Sequence, residues 1–426
     1  MTAVVISVFF LLAIIGTPLA FALGLASLAA LIYGNFDLTI MPQRMLHAVD
    51  SFPLMAIPLF MLAGELMLKA GMMNRLVAFA NSLVGRVQGG LAHVTLISGT
   101  VLASVTGAAV ASASALGSTL VPALREHYPL GYSSAIVTSA ANLGPVIPPS
   151  NAMIVYALMA GPSVSIGGLF MAGIVPGVLL AFTFMLVASW LSWRRGYPLT
   201  GEAFSIRNVF RQTRRAFIIL MMPIIVVGGI IAGIFTATEG AAIAVMYSAF
   251  VGFFITRQLK ISDLPGCLFR AAVTASMVGA LIAFAATVTF ILTIEMVPRE
   301  LSNSILSLTS DPTVYILLTM LLLVVVGMFI ESNAAYIMLV PLFAPVAASY
   351  GIDPLYFGFL FMYNLVVGMM TPPVGVLYFV MSGITGVSIG RLVRDAAPFV
   401  AVQFIMLALF LIFPWLVMAL PRATGY

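Results

Sequence analysis

Two short stretches place helix breakers where a membrane-crossing segment would otherwise run. Residues 144–150 read GPVIPPS and residues 368–374 read GMMTPPV. A proline inside a helix removes a backbone donor and clashes with the preceding turn, at a cost of about 3 kcal/mol. In a bilayer such a break is tolerated only where it lines a cavity or is buried in protein. What it frees has chemistry of its own. Unpaired carbonyl oxygens are hard ligands suited to a small cation. The positive N-termini of half-helices suit an anion. Asn142, Ser150 and Asn151 add side-chain hydrogen-bonding groups around the first break, although Ser150 and Asn151 are equally good helix caps.

A second pair of features precedes the breaks. SVTGAAVASASALGS (104–118) is rich in small and hydroxyl residues, including Ser112 and Ser114. Taken alone, it fits a helix-packing surface as well as a site lining. VGMFIESNAAYIM (326–338) occupies the corresponding place before the second break, and Glu331 is the one charged residue between Pro312 and Ile352. An intramembrane carboxylate is costly and by default marks function. Ser332 and Asn333 follow it directly. Both stretches read as re-entrant hairpins whose tips meet the broken helices. Covalent or metal catalysis has no comparable set of groups. His47, His93 and His127 are scattered and Cys267 is the sole cysteine, so there is no nucleophile–base pair, thiolate metal site or internal disulfide.

The elements that position these groups follow from composition. Of 426 residues, 62% are hydrophobic and only 7% charged, with a mean hydropathy of +1.17. Soluble chains carry roughly 25% charged residues. No Asp, Glu, Lys or Arg occurs from His127 to Trp193, far more than the ~20 residues of one crossing. The class is an all-α polytopic membrane protein, and the absence of strand alternation excludes a β-barrel. The net charge of +5 does not indicate nucleic acid. Half of the 18 basic residues lie between Arg194 and Arg270, which places 194–215 and 257–270 in cytoplasmic loops. Two spans then run out and back around FTATEG (235–240). The apolar run Val4–Ala30, with no Lys or Arg before Arg44, predicts a retained span that starts outside rather than a cleaved signal peptide.

The chain is internally duplicated. FMLAGELM (60–67) is echoed by FILTIEMV (290–297), aligning Glu65 with Glu295. Thr106-Gly107 meets Val326-Gly327, STLVPAL (118–124) meets IMLVPLF (337–343), GPVIPPS meets GMMTPPV, and VSIGGLF (164–170) meets VSIGRLV (387–393). Five matches in one order are not a product of composition. Duplication with a broken helix at corresponding positions marks a secondary transporter. The expected division is 1–50 as an N-terminal scaffold and 51–193 as repeat 1, with a hairpin near 95–125 and a broken helix near 133–160. Basic loops and two connecting spans fill 194–270. Repeat 2 takes 271–426, with a hairpin near 314–348 and a broken helix near 354–382. Glu65 and Glu295 each precede a basic residue by four positions, Lys69 and Arg299, so helical i,i+4 pairs are the expectation.

The two hairpins, GPVIPPS, TPPVG with Gly368, SFPLMAIPLFMLAGELM (51–67) and GRVQGGLAHV (85–94) together resemble the large membrane subunit of TRAP transporters, the tripartite ATP-independent periplasmic transporters. The likeness covers nearly the whole chain. It implies a fold of two inverted repeats with re-entrant hairpins, divided into a scaffold and an elevator-type transport domain in the bacterial inner membrane. It implies import of an organic acid driven by sodium, with a small four-span membrane subunit and a periplasmic substrate-binding protein as partners. It further implies a sodium ion where each hairpin meets its broken helix. One ion maps onto Ser104, Thr106, Gly107, Gly144, Ile147 and Pro149, the other onto Gly327, Ser332, Gly368, Met370 and Thr371. Ser112, Ser114, Asn142, Ser150, Asn151, Glu331 and Asn333 are the candidates for the substrate. Two positions depart from the family: Ser112 stands where Asp is frequent, and Glu331 where Asp is more usual. A self-sufficient divalent-anion/sodium symporter is the main alternative, and a passive channel conflicts with the paired hairpins.

Overall fold

The computed structural model describes residues 1–84, 86–197, 199 and 205–426, and only the backbone of Ser104, Val105 and Leu308. Among the described residues every regular element is helical, and eight helices are long and apolar enough to cross a membrane. The chain opens with α1 (Thr2–Ile15), α2 (Leu19–Tyr33) and α3 (Ile40–Val49). The apolar N-terminal run folds as a packed pair of helices. Gly16 takes a left-handed conformation after α1 and Pro18 precedes α2, so the apolar run folds back on itself.

Next come α4 (Ala56–Lys69), α5 (Met72–Val84), α6 (Gly90–Thr106), α7 (Ala109–Leu124), α8 (Leu130–Asn142), α9 (Asn151–Ala160) and α10 (Ile166–Arg194). Between the halves lie α11 (Ile206–Ile231) and α12 (Ala237–Phe250). The second half repeats the order as α13 (Leu264–Ile294), α14 (Val297–Leu308), α15 (Pro312–Phe329), α16 (Ser332–Ser349), α17 (Pro354–Gly368), α18 (Val376–Thr385) and α19 (Ile389–Ile412), and α20 (Trp415–Ala423) closes the chain. In each half a spanning helix leads to a short helix, a helical hairpin, a broken helix and a long closing helix.

Local chemistry sets these boundaries. Two Asp-Pro pairs start α15 and α17. Asp311 accepts from Thr313 N at 2.7 Å, and Asp353 accepts from Leu355 N at 2.9 Å and Tyr356 N at 3.1 Å. An acidic N-cap before a proline with preset φ is a strong helix start. The repeated Val-Ser-Ile-Gly motif marks a helix start in both halves: Ser165 stands at the N-cap of α10 and Ser388 at that of α19, but only Ser165 caps with its side chain. Ser165 Oγ accepts from Gly168 N at 3.2 Å.

The core lies along α8 and α17. Every residue of α8 after Leu130 is buried, and so is every residue of α17 after Pro354. A helix apolar all round belongs in the interior, and these are the two helices that lead into the breaks. Tyr363 and Phe410 pack edge to face at 5.2 Å, fixing α17 against α19.

The acidic pairs differ from expectation. Glu65 meets Arg270 of α13 at 2.6 Å rather than Lys69, and Glu295 meets the Met1 amino group at 2.6 Å rather than Arg299. Both carboxylates therefore join elements distant in sequence, because each sits where its helix end faces a neighbouring helix.

Candidate functional site

The site is built from four half-helix ends. Hairpin 1 turns at Gly107–Ala108 between α6 and α7, and its tip lies against the first break. Gly107 has φ +62°, and a Cβ there would fall 2.3 Å from Asn151 N. Only glycine satisfies both the backbone angle and the approach. Behind the tip, a Cβ on Gly144 would lie 2.9 Å from the Ala103 carbonyl oxygen.

Asn151 ties the tip down. Its Nδ2 donates to the Thr106 carbonyl at 2.8 Å. Thr106 Oγ1 lies 3.1 Å from the Ala103 carbonyl and 2.6 Å from Ser112 Oγ. Ser150 Oγ donates to the Pro145 carbonyl at 2.9 Å, closing the break on itself. One amide N–H of Asn151 is given to Thr106, and its buried Oδ1 is without a partner among the described residues. Neither α7 nor α9 has a side-chain cap, so their first backbone N–H groups face the junction uncapped.

The second junction mirrors the first. A Cβ on Gly368 would lie 2.6 Å from Gly327 Cα, so α15 and α17 meet backbone to backbone. Ala103 opposite Gly144 and Gly327 opposite Gly368 share one sequence separation. The pairing of Gly107 with Gly327 is therefore corrected by one helical turn, and Gly107 corresponds to Glu331. One tip turns on a left-handed glycine, the other on an acidic cap. Glu331 accepts from Asn333 N at 2.9 Å and Asn333 Nδ2 at 3.0 Å, and Ser332 Oγ lies 3.2 Å away. Gly375 N donates to the Met328 carbonyl at 3.0 Å, pinning the break to the hairpin. Thr371 N donates to the Gly368 carbonyl at 2.8 Å, Thr371 Oγ1 to Val367 at 2.7 Å, and Tyr378 Oη to the Met370 carbonyl at 2.6 Å.

The helix ends that lead into the two breaks touch. Asn142 Nδ2 donates to the Val366 carbonyl at 3.0 Å and lies 3.3 Å from Gln403 Oε1 of α19, whose Nε2 lies 3.4 Å from Met370 Sδ. The environments differ: the first break is largely buried, whereas Pro372 and Pro373 are exposed.

The structure thus gathers Thr106, Gly107, Ser112, Gly144, Ser150 and Asn151 at one junction. It gathers Gly327, Glu331, Ser332, Asn333, Gly368, Met370 and Thr371 at the other. Ile147 and Pro149 lie on the first break. Asn142 sits between the breaks, away from either tip, and Ser114 is exposed on the outer face of α7. The side chain of Ser104 lies outside the described residues. Sequence reasoning passed over Gln403, the only polar residue in α19 after Asp395. A buried amide in an apolar span was a readable signal.

Comparison with known proteins places these features in context. The family described as "Tripartite ATP-independent periplasmic transporter, DctM component" matches residues 6–416. The isethionate TRAP transporter permease protein DctMQ of Oleidesulfovibrio alaskensis is 38% identical over 95% of this chain, which spans 63% of that relative's length. The sialic acid TRAP transporter large permease protein SiaM of Vibrio cholerae is 34% identical over 96% of both chains. Among solved structures, the Alcanivorax borkumensis YdaH transporter superposes with a TM-score of 0.63 over 90% of each chain at 15% identity, a likeness of fold.

Proposed function

This chain belongs to the DctM component family of tripartite ATP-independent periplasmic transporters, and from that premise we propose that it imports an organic acid on a sodium gradient. The observation that carries the reading is the pair of junctions at which a hairpin tip closes on a proline-broken helix. Carbonyl oxygens and a free amide oxygen suit a small cation. The uncapped N-termini of α7 and α9 suit the negative charge of the acid.

One sodium ion is assigned to the first junction, at Ser104, Thr106, Gly107, Gly144, Ile147 and Pro149. A second is assigned to Gly327, Ser332, Gly368, Met370 and Thr371. Bound cations offset the charge of the acid, which Ser112, Ser150, Asn151 and Asn333 hydrogen-bond. The hairpins and broken helices move as one body against the remaining spans, an elevator in the bacterial inner membrane. Relatives are named for isethionate and for sialic acid, so the cargo is an organic acid presented by a periplasmic binding protein. A small four-span membrane subunit completes the assembly.

The test is uptake of a radiolabelled acid into proteoliposomes holding this chain and its small subunit. Accumulation is expected only with an inward sodium gradient and an added binding protein. Equal uptake with potassium in place of sodium would refute the coupling. Uptake without any binding protein would favour the self-sufficient symporter.

A further inference from the structure

The largest concentration of positive charge lies away from the junctions, at the start of α11. A groove of about 890 Å³ there is lined by Arg207, Arg211, Arg214 and Arg215 of α11 and by Arg75 of α5. The four α11 arginines recur at helical spacing and share one face. Arg75 faces them from a helix of the first repeat that packs against α11. None of the five forms an ion pair among the described residues, and none of the described lining residues is acidic. Glu202, the nearest acidic residue in sequence, lies outside the described residues.

Like charges one turn apart on a helix repel, so five clustered guanidinium groups favour an anionic counterpart. Its nature follows from the adjacent stripe. Ile206 and Phe210, 78% and 74% exposed, and Phe217 lie beside the arginine face. An arginine row flanked by exposed apolar side chains at the cytoplasmic end of a span matches a phosphate headgroup with acyl chains beside it. A soluble phosphate would leave the apolar stripe unused.

We propose that the groove between α5 and α11 binds the phosphodiester headgroup of an anionic phospholipid of the inner leaflet. Arginine suits this ligand because its planar fork donates two parallel hydrogen bonds to phosphate oxygens. The site joins the connector between the repeats to the helix leading into hairpin 1.

The test is native mass spectrometry of the full-length chain with its small subunit, titrated with phosphatidylglycerol, cardiolipin or phosphatidylcholine. The anionic lipids are expected to be retained about tenfold or more over phosphatidylcholine. The triple variant Arg75→Gln/Arg211→Gln/Arg214→Gln should lose that preference. Arg391→Gln/Arg394→Gln, which removes two charges elsewhere on the same side, should keep it. Equal retention by the triple variant and the unmodified protein overturns the site, as does displacement of the lipid by excess inorganic phosphate. Should the glutamine variant not fold, the corresponding triple lysine variant serves. It keeps the charge but loses the forks, so its retention should fall severalfold, and unchanged retention overturns the proposal.

Discussion

Asn151 spans the first junction, donating from Nδ2 to the Thr106 carbonyl at 2.8 Å while its own Oδ1 is buried without a partner among the described residues. One amide thus locks the hairpin tip to α9 and offers a free oxygen beside it. Replacement by leucine removes both and strands the Thr106 carbonyl, an effect of about 1–3 kcal/mol. The half-saturating sodium concentration for uptake is expected to rise about 5- to 150-fold. Unchanged sodium dependence in Asn151→Leu would show that the lock between the hairpin tip and α9 does not shape the proposed first cation site.

The glycine contacts test whether the junctions must close. Gly107→Ala places a methyl 2.3 Å from Asn151 N at a φ of +62°, and Gly368→Leu drives a side chain into Gly327. Each should abolish uptake, while the protein still reaches the membrane because the spanning helices are untouched. Near-normal uptake by Gly368→Leu would mean that α15 and α17 need not meet. Gly383 lies at the end of α18 with open space where its Cβ would be, so Gly383→Ala is the silent control.

How much of this was legible beforehand depends on what each feature required. The breaks, hairpins and duplication could be read because proline pairs, Glu331 and Val-Ser-Ile-Gly are unlikely products of an apolar composition. The charge partners were not. Glu65 has Lys69 at helical spacing, yet it bonds Arg270, because i,i+4 geometry permits a pair while packing of α4 on α13 decides it. The register of the duplication slipped by a turn at the hairpins for a similar reason. Gly327 was matched to the turn glycine Gly107 by residue type, whereas its role is to let α15 approach α17. The N-terminal pair depended on Gly16 and Pro18 acting together within an apolar run.

Gln403 links both breaks, lying 3.3 Å from Asn142 Nδ2 and 3.4 Å from Met370 Sδ. A buried amide that loses its partner costs about 1–3 kcal/mol. Gln403→Leu should therefore lower the unfolding temperature by several degrees, and Asn142→Leu alone should do the same. Because the two amides share a contact, the double variant should lose less than the two single changes summed. Strict additivity in detergent melts would show that the two amides act independently.

Glu331 separates charge from shape. Its carboxylate caps α16 through Asn333 N, a role that glutamine fills in part, since loss of a cap costs about 1 kcal/mol. Glu331→Gln should leave the protein folded but reduce the apparent sodium affinity about tenfold or more if the proposed second cation site is occupied, because the neighbouring charge is gone. Glu331→Asp keeps the charge and should retain most of the uptake. The reading fails if glutamine and aspartate variants transport equally well at low sodium.

The ion pair between Glu65 and Arg270 provides the contrasting case. It joins α4 to α13 at 2.6 Å, but the Glu65 and Arg270 side chains remain 27% and 47% exposed. An exposed pair is worth only about 0–1 kcal/mol after screening and side-chain ordering. Glu65→Gln, Arg270→Gln and the double variant should each melt within a few degrees of the unmodified protein, with a coupling energy below about 1 kcal/mol that shrinks further in high salt. Transport rates should also be unaffected, since neither residue reaches a junction. A large loss of uptake with normal stability would mean that this contact tracks the transport cycle, and that α4 and α13 separate during the proposed elevator movement.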